Sequence, residues 1–424
     1  MMTRRDFVRL AAAAAGGVVL PAPLGAYQSP TVAPRDDTDP RRVSGHLLAQ
    51  VFPDIRRHFI FEYYPWYGVS PYVHWDQWNR IPPIDIASNY VPQLGAYDSR
   101  ATAVLEQHAR WIIESGAGAI NVSWWGKDSY EDRNVPYVLD VMSAHDIKVT
   151  FHLEPYDATR VGKFADDIGY LIREYGDRRH WDCLLQIRHA DGATGPVFKS
   201  FATNLTATET DCHGVTSANP DYASTAAWRQ QTDRVRDTYR RDFDRLMLLS
   251  DSTDMGAIVA SGFDGTAIYS NLVHPDRWRF HATNATARDL VFSFNINPGF
   301  DDIAMRNVDP GSCYAPLAFD PPSGPYNFSV AGDRERAEAA SASRIGDSFD
   351  TTIALQRDST LSDAGRGFFL VYICTFNEWH EGTMFEPMKD AGDLSAAERA
   401  LGYHNPADGS YRLKALTSLL TNVI

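Results

Sequence analysis

A (β/α)8 TIM barrel with long strand-to-helix loops, an α/β fold, is what this sequence predicts, on three observations. Apolar runs of strand length alternate with stretches of helical period along the chain. About eight such units fit the 424 residues, a length that could also hold two smaller domains. Aromatic and acidic residues gather where the apolar runs end, as they do at the C-terminal face of a parallel barrel.

The first strand falls at 58–64, HFIFEYY. Residues 101–116 carry apolar positions at helical spacing and stop at Gly116, and a second strand, AINVSWW, follows at 119–125. A helix at 135–146 leads to the third strand, KVTFHLEPY at 148–156, and a helix at 163–176 to a fourth, GPVFKSF at 195–201. One long charged helix is expected over 226–250, with later strands at 265–270, 289–296 and 367–376. The last of these, GFFLVYICTF, is almost wholly apolar, as a parallel strand covered on both faces is. Residues 203–227, rich in Thr, Ser and Asn, read as a surface insertion, and 307–347 as irregular.

A chain with 44% apolar and 12% aromatic residues can bury a large core. A net charge of −14 disfavours nucleic acid and anionic lipid as partners but leaves neutral ligands open. The first 26 residues hold Arg4 and Arg5, then a mild Ala-rich apolar stretch ending near Ala26, the order of a twin-arginine export signal. The expected organisation is therefore a signal at 1–26, a polar leader at 27–45 and a single catalytic domain at 46–424, working in the periplasm or outside the cell. No later stretch reaches the ~18 apolar residues of a membrane span. Cys183, Cys212, Cys313 and Cys374 form no CxxC pair; Cys212 and Cys313 are the plausible bridge, and Cys374 is a small buried hydrophobe inside its strand.

The strand ends supply the candidate site. They read Tyr63 to Tyr67, Trp124 and Trp125, His152 to Tyr156, and Asn377 to Glu381. Aromatics interleaved with carboxylates, without a basic cluster, suit a carbohydrate: ring faces stack on sugar C–H faces and carboxylates bond hydroxyls. The candidate sugar contacts are Tyr64, Trp66, Tyr67, Trp124, Trp125, His152, Glu154, Tyr156, Asn377, Trp379 and His380. Glycosidic cleavage needs two carboxylic groups, and Glu378 and Glu381, three apart directly after a buried strand, are the pair to consider. No metal or cofactor is implied: HExxH would need a histidine where the chain has Met384, no GxSxG elbow occurs, and full activity in EDTA is expected.

The strings YYPWYG (63–68) with HW (74–75), SWWG (123–126), FHLEPY (151–156), GFDGTAIYS (262–270), NPGFDDIAMR (297–306) and FNEWHEGT (376–383) resemble, in this order, the strand-end motifs of glycoside hydrolase family 99. That family contains endo-α-mannosidases and endo-α-1,2-mannanases on (β/α)8 barrels. The resemblance implies that Glu381 is the general acid and Glu378 a base that deprotonates the sugar's own 2-hydroxyl, giving a 1,2-anhydro sugar that water opens with retention. It also implies that Glu154 bonds a sugar near the cleavage point, with Trp124, Trp125, Tyr64 and Tyr67 lining subsites. The chain departs from the family after the fourth strand, where Lys199 and Phe201 stand in place of further aromatics. An endo-α-glucanase on a related barrel and a non-catalytic glycan-binding protein are the rival expectations. Oligomeric state is left open.

Overall fold

The computed structural model describes residues 39–308, 312–313, 319–321 and 326–424. The expected signal at 1–26 and all but the last few residues of the 27–45 leader lie outside them. Eight parallel strands make the barrel: β1 Phe59–Tyr63, β2 Ala119–Trp124, β3 Lys148–Leu153, β4 Thr194–Ser200, β5 Met247–Ser250, β6 Gly265–Ala267, β7 Val291–Ser293 continued as Asn295–Ile296, and β8 Val371–Ile373. β7 is broken only at Phe294; its first half pairs with β6 and its second with β8, and β8 pairs with β1, so the ring closes through this one run. An antiparallel segment, Gln186–Arg188, edges β4.

Strand alternation sorts the side chains into layers. Ile60, Ala119, Val197, Leu249, Ala267, Val291 and Leu370 fill the barrel floor. Their chain neighbours Phe61, Ile120, Phe198, Leu248, Phe292 and Val371 belong to the large cluster between sheet and helices. Each strand is followed by a helix. The one after β1, Thr102–Ser115, ends at Gly116 with φ 92°, as the stop signal required.

Two expectations are corrected. The helix placed over 226–250 is Thr225–Tyr239 only, with Ser224 capping its start by accepting from the Ala227 amide; Met247–Ser250 is β5. Beyond Tyr239 the sequence RRDFDR offers no apolar stripe, while MLLS buries all four residues, as only a strand covered on both faces does here. The stretch 307–347 is not irregular throughout, because Ala331–Gln356 is a helix of 26 residues. Its buried stripe includes Ala337, Ser341, Ile345, Ser348, Thr352 and Gln356. Its polar members bond the barrel directly: Ser341 Oγ to the Pro298 carbonyl, Thr352 Oγ1 to Phe294 and Gln356 Nε2 to Leu370. A helix that packs through hydroxyls carries little hydropathy signal.

The 203–227 insertion contains an exposed hairpin, Thr208–Thr210 with Thr216–Ala218. Cys212, between its strands, is disulfide-bonded to Cys313 in the loop after β7. Cys374 and Cys183 are buried and take no part in a disulfide. No helix among the described residues is long and apolar enough to cross a membrane.

Candidate active site

The chain leaves β8 into a closed loop rather than a helical turn. Thr375 N bonds the Thr383 carbonyl at 2.9 Å, and Glu386 N bonds Phe376 O at 2.8 Å, pinching off residues 377–382 over the barrel mouth. The loop reverses at Gly382, whose φ is 64° and where a Cβ would lie 2.6 Å from the Asp301 carbonyl oxygen, so only glycine fits. Asp301 N and Ile303 N bond the carbonyls of Glu381 and His380, tying this loop to the one after β7.

Within it Glu378 and Glu381 have different surroundings. Glu378 is 1% exposed; its Oε1 accepts the His380 amide at 3.2 Å and its own amide donates to Thr375 Oγ1. Glu381 is partly exposed, and Tyr269, two residues past β6, donates its hydroxyl to Oε2 at 2.7 Å. Burial, reinforced by the Glu378 charge, raises the Tyr67 hydroxyl well above its ordinary value. Tyr67 therefore stays a donor, to Asn377 O, while accepting the Trp379 amide.

Asn377, Trp379 and His380 hold the loop. Asn377 brackets Tyr64 with bonds to both its amide and its carbonyl, and His380 Nε2 donates to His74 O at 3.0 Å. The Trp379 indole N–H donates to Glu386 Oε2 at 3.0 Å, deep in the protein. Trp66 stacks on His74 with centroids 4.4 Å apart and lies beside Trp125. Tyr64, Trp66, Tyr67, Trp125 and Trp379 thus form one aromatic cluster, joined by Tyr269. Glu154 sits just past β3, where Oε1 accepts the Ser123 hydroxyl at 2.7 Å; that hydroxyl accepts the Trp125 indole N–H at 3.1 Å.

One expected lining residue, Trp124, lies elsewhere, and a second, Tyr156, packs against the aromatic cluster but turns its hydroxyl away from it. Trp124 faces the helices: its indole N–H donates to Asp132 at 2.8 Å and its ring stacks on Tyr170. It alternates with Ser123, which faces Glu154, so the pleat sends it to the outer core. Tyr156 donates its hydroxyl to Asp167 on the helix after β3 and so anchors that helix. Trp124→Ala should lower stability by about 3–5 kcal/mol through the cavity it leaves. Trp125→Ala should also cost stability, since that ring is buried in the aromatic cluster, but should in addition raise KM, which Trp124→Ala should leave nearly unchanged; melts paired with kinetics check both.

Sequence reasoning missed the roles of the groups under the aromatic cluster: Glu62 on β1, Lys199 on β4, noted only as a departure from the family, and the buried Glu386 with His108 and Tyr97. Alternation held the signal for the first two, since each is a charge inside an apolar run at an inward position. It also missed Glu131, in the first turn of helix Tyr130–Ala144. Burial first, with the Glu154 charge adding, raises its carboxyl to about 7 against bonds to its own backbone and Ser129. An acid whose folded pKa is raised loses stability as pH climbs from its unfolded value to the folded one. Glu131→Gln should therefore exceed wild type in Tm above pH 7, on the order of a few degrees, with the difference vanishing below about pH 4.5.

The one triad of metal-ligating side chains found among the described residues is exposed Cys212, His213 and Cys313, and its two sulfurs are already joined to each other.

The family model for Glycosyl hydrolase family 99 matches residues 55–190. The glycoprotein endo-alpha-1,2-mannosidase-like protein of Mus musculus is 26% identical over 392 residues, covering 84% of this chain and 74% of that protein. The glycoprotein endo-alpha-1,2-mannosidase of Xenopus laevis is 25% identical over 376 residues, covering 80% and 72%. In structure, the GH99 endo-alpha-mannosidase from Bacteroides thetaiotaomicron superposes with a TM-score of 0.61 at 22% identity, over 87% of this chain and 97% of that one. That likeness supports the barrel fold.

Proposed function

This chain belongs to glycoside hydrolase family 99 and is a glycoside hydrolase, and we propose that it is an exported, retaining, endo-acting α-mannosidase that cleaves α-mannosidic linkages in mannan or N-glycan-type oligosaccharides. The observation that carries the assignment of roles is the contrast between the two loop carboxylates. Glu378 is enclosed and already accepts an amide N–H, the setting of a carboxylate held ready to take a proton. Glu381 is more open and is oriented by the Tyr269 hydroxyl at one oxygen, the setting of a carboxylic acid that gives its proton to a leaving oxygen.

Glu378 takes the proton of the substrate 2-hydroxyl, and O2 attacks the anomeric carbon as the bond to the leaving oxygen breaks. Glu381 protonates that oxygen. Water, deprotonated by Glu381, then opens the 1,2-anhydro ring, and O2 recovers its proton from Glu378. An α-mannoside suits this course because its 2-hydroxyl and leaving oxygen are both axial on opposite faces. Glu154 and the aromatic cluster supply sugar contacts. Digestion of α-1,2-mannan, glucosyl-mannose glycans and α-glucans, with NMR of the first product, tests the assignment. Internal cleavage of the mannosides with an α-anomeric product is expected; cleavage of glucans alone, or a β-product, overturns it.

Export is supported by Arg4 and Arg5 ahead of the Ala-rich stretch and by the exposed disulfide, a bond at home in oxidising compartments. Arg4→Lys with Arg5→Lys should hold the chain in the cytoplasm of a Tat-competent host; unchanged export would exclude this route.

A further inference from the structure

An ion pair lies under the aromatic cluster, in the barrel interior, and the reaction above makes no use of it. Glu62 Oε1 and Lys199 Nζ meet at 2.6 Å with side chains 1% and 0% exposed. Burying two charges costs more than a surface pair returns, and it survives only where the remaining bonds are also met. Here they are. Glu62 Oε2 accepts Asn121 Nδ2 at 2.8 Å and lies 3.1 Å from His152 Nδ1, and the Lys199 ammonium lies over the Tyr372 and Tyr269 rings at 4.5 and 5.4 Å. Burial pushes the Glu62 carboxyl up, but the Lys199 charge, then the His152 ring, and the bonds from both hold it down at about 2. Glu62 is a carboxylate throughout the neutral range.

A carboxylate accepts and cannot donate, so His152 Nδ1 is the donor of the 3.1 Å bond. In the uncharged ring Nε2 then carries only a lone pair. That atom is fully buried and has no hydrogen-bond partner among the described residues. The ring lies 5.8 Å from that of Tyr269, whose hydroxyl is bonded to Glu381, so His152 packs against the residue that orients the proposed acid.

We propose that Glu62 and Lys199 are positioning residues that fix His152 with its proton on Nδ1, so that Nε2 accepts a hydrogen bond from a hydroxyl of the sugar bound beside Glu381. The inference rests on the aromatic cluster lining a sugar site. Lys199 matters because a buried carboxyl stripped of its cation takes up a proton, and protonated Glu62 can donate to Nδ1 and turn Nε2 into an N–H donor. The titratable groups facing Glu62 are Lys199 on β4, His152 on β3 and Tyr372 on β8, whose hydroxyl burial and the Glu62 charge keep well above its ordinary value. His152 faces Glu62, Glu154 (Oε1 at 3.9 Å) and Tyr269.

The test is two-bond 1H–15N correlation NMR of the full chain labelled with 15N-histidine, with His152→Gln for assignment. Wild type at pH 7 should show the Nδ1–H tautomer at His152. Lys199→Met should show the other tautomer or a mixture, and should lose about 10- to 100-fold in kcat/KM at pH 7, the worth of one hydrogen bond in a charged network. The loss should shrink as pH rises and Glu62 re-ionises, over a range where wild type is flat. Glu62→Gln with Lys199→Met should be as slow at every pH. An Nε2–H or doubly protonated ring in wild type overturns the proposal even if the variants do not fold. So does a folded Lys199→Met with wild-type kcat/KM and pH profile. The tautomer is read without turnover, so it stands apart from any failure of the mannosidase assignment.

Discussion

Glu381→Gln is expected to lower kcat/KM on unactivated α-mannosides by about 10²–10⁴-fold, the span of a lost general acid. Glutamine keeps the shape and can still accept the Tyr269 hydroxyl, so the fold should hold. The deficit should narrow on substrates whose leaving group is a good one, because a low-pKa leaving oxygen departs without a proton. Glu378→Gln should lose a similar factor on every substrate, since the 2-hydroxyl must be deprotonated whatever leaves. Comparing an aryl mannoside with a natural glycan for both variants separates the two roles. Equal deficits on both substrates for Glu381→Gln would reverse or abolish the assignment of the acid, and wild-type turnover in either variant would remove the mechanism.

Glu386→Ala is expected to have a large effect on stability. This carboxylate is fully buried and accepts from Tyr97 Oη at 2.7 Å, Trp379 Nε1 at 3.0 Å and His108 Nε2 at 3.2 Å. Burial and the Glu386 charge raise the Tyr97 hydroxyl well above its ordinary value, so it remains a donor. Truncation would leave the buried Tyr97 and His108 donors without an acceptor, at about 1–3 kcal/mol each, and the Trp379 indole N–H with only its 3.3 Å bond to Tyr97 Oη. A loss of about 3 kcal/mol or more is expected in denaturant melts, with a smaller loss for Glu386→Gln. Activity should fall with it at temperatures where the variant is still folded, because the loop bearing Glu378 hangs from Trp379 and Asn377. An unaltered melt would show that the loop is held by other contacts.

The barrel was legible wherever a strand was a bounded apolar run, as in HFIFEYY, AINVSWW and GFFLVYICTF. It was not legible at MLLS, which follows a charged helix with no Gly or Pro between, nor at 331–356, where Ala, Ser and Thr do the packing that larger apolar residues usually do. The loop carboxylates stood out because nothing solvated can sit directly behind a buried strand. Their neighbours were harder. Trp124 and Trp125 look alike in sequence, and only the parity shared by Asn121 and Ser123 tells which one the pleat turns toward the helices. Glu62 and Lys199 belong to runs that look apolar as a whole, and a pair 137 positions apart in sequence leaves no local mark.

The disulfide between Cys212 and Cys313 makes the excursions after the fourth and seventh strands one covalent unit above the barrel. Modularity on this scaffold is therefore coarser than one loop per strand. A chimera that borrows either excursion alone from a relative inherits an orphan thiol and an untethered rim. Transplanting specificity into this chain, or out of it, requires both segments to travel together.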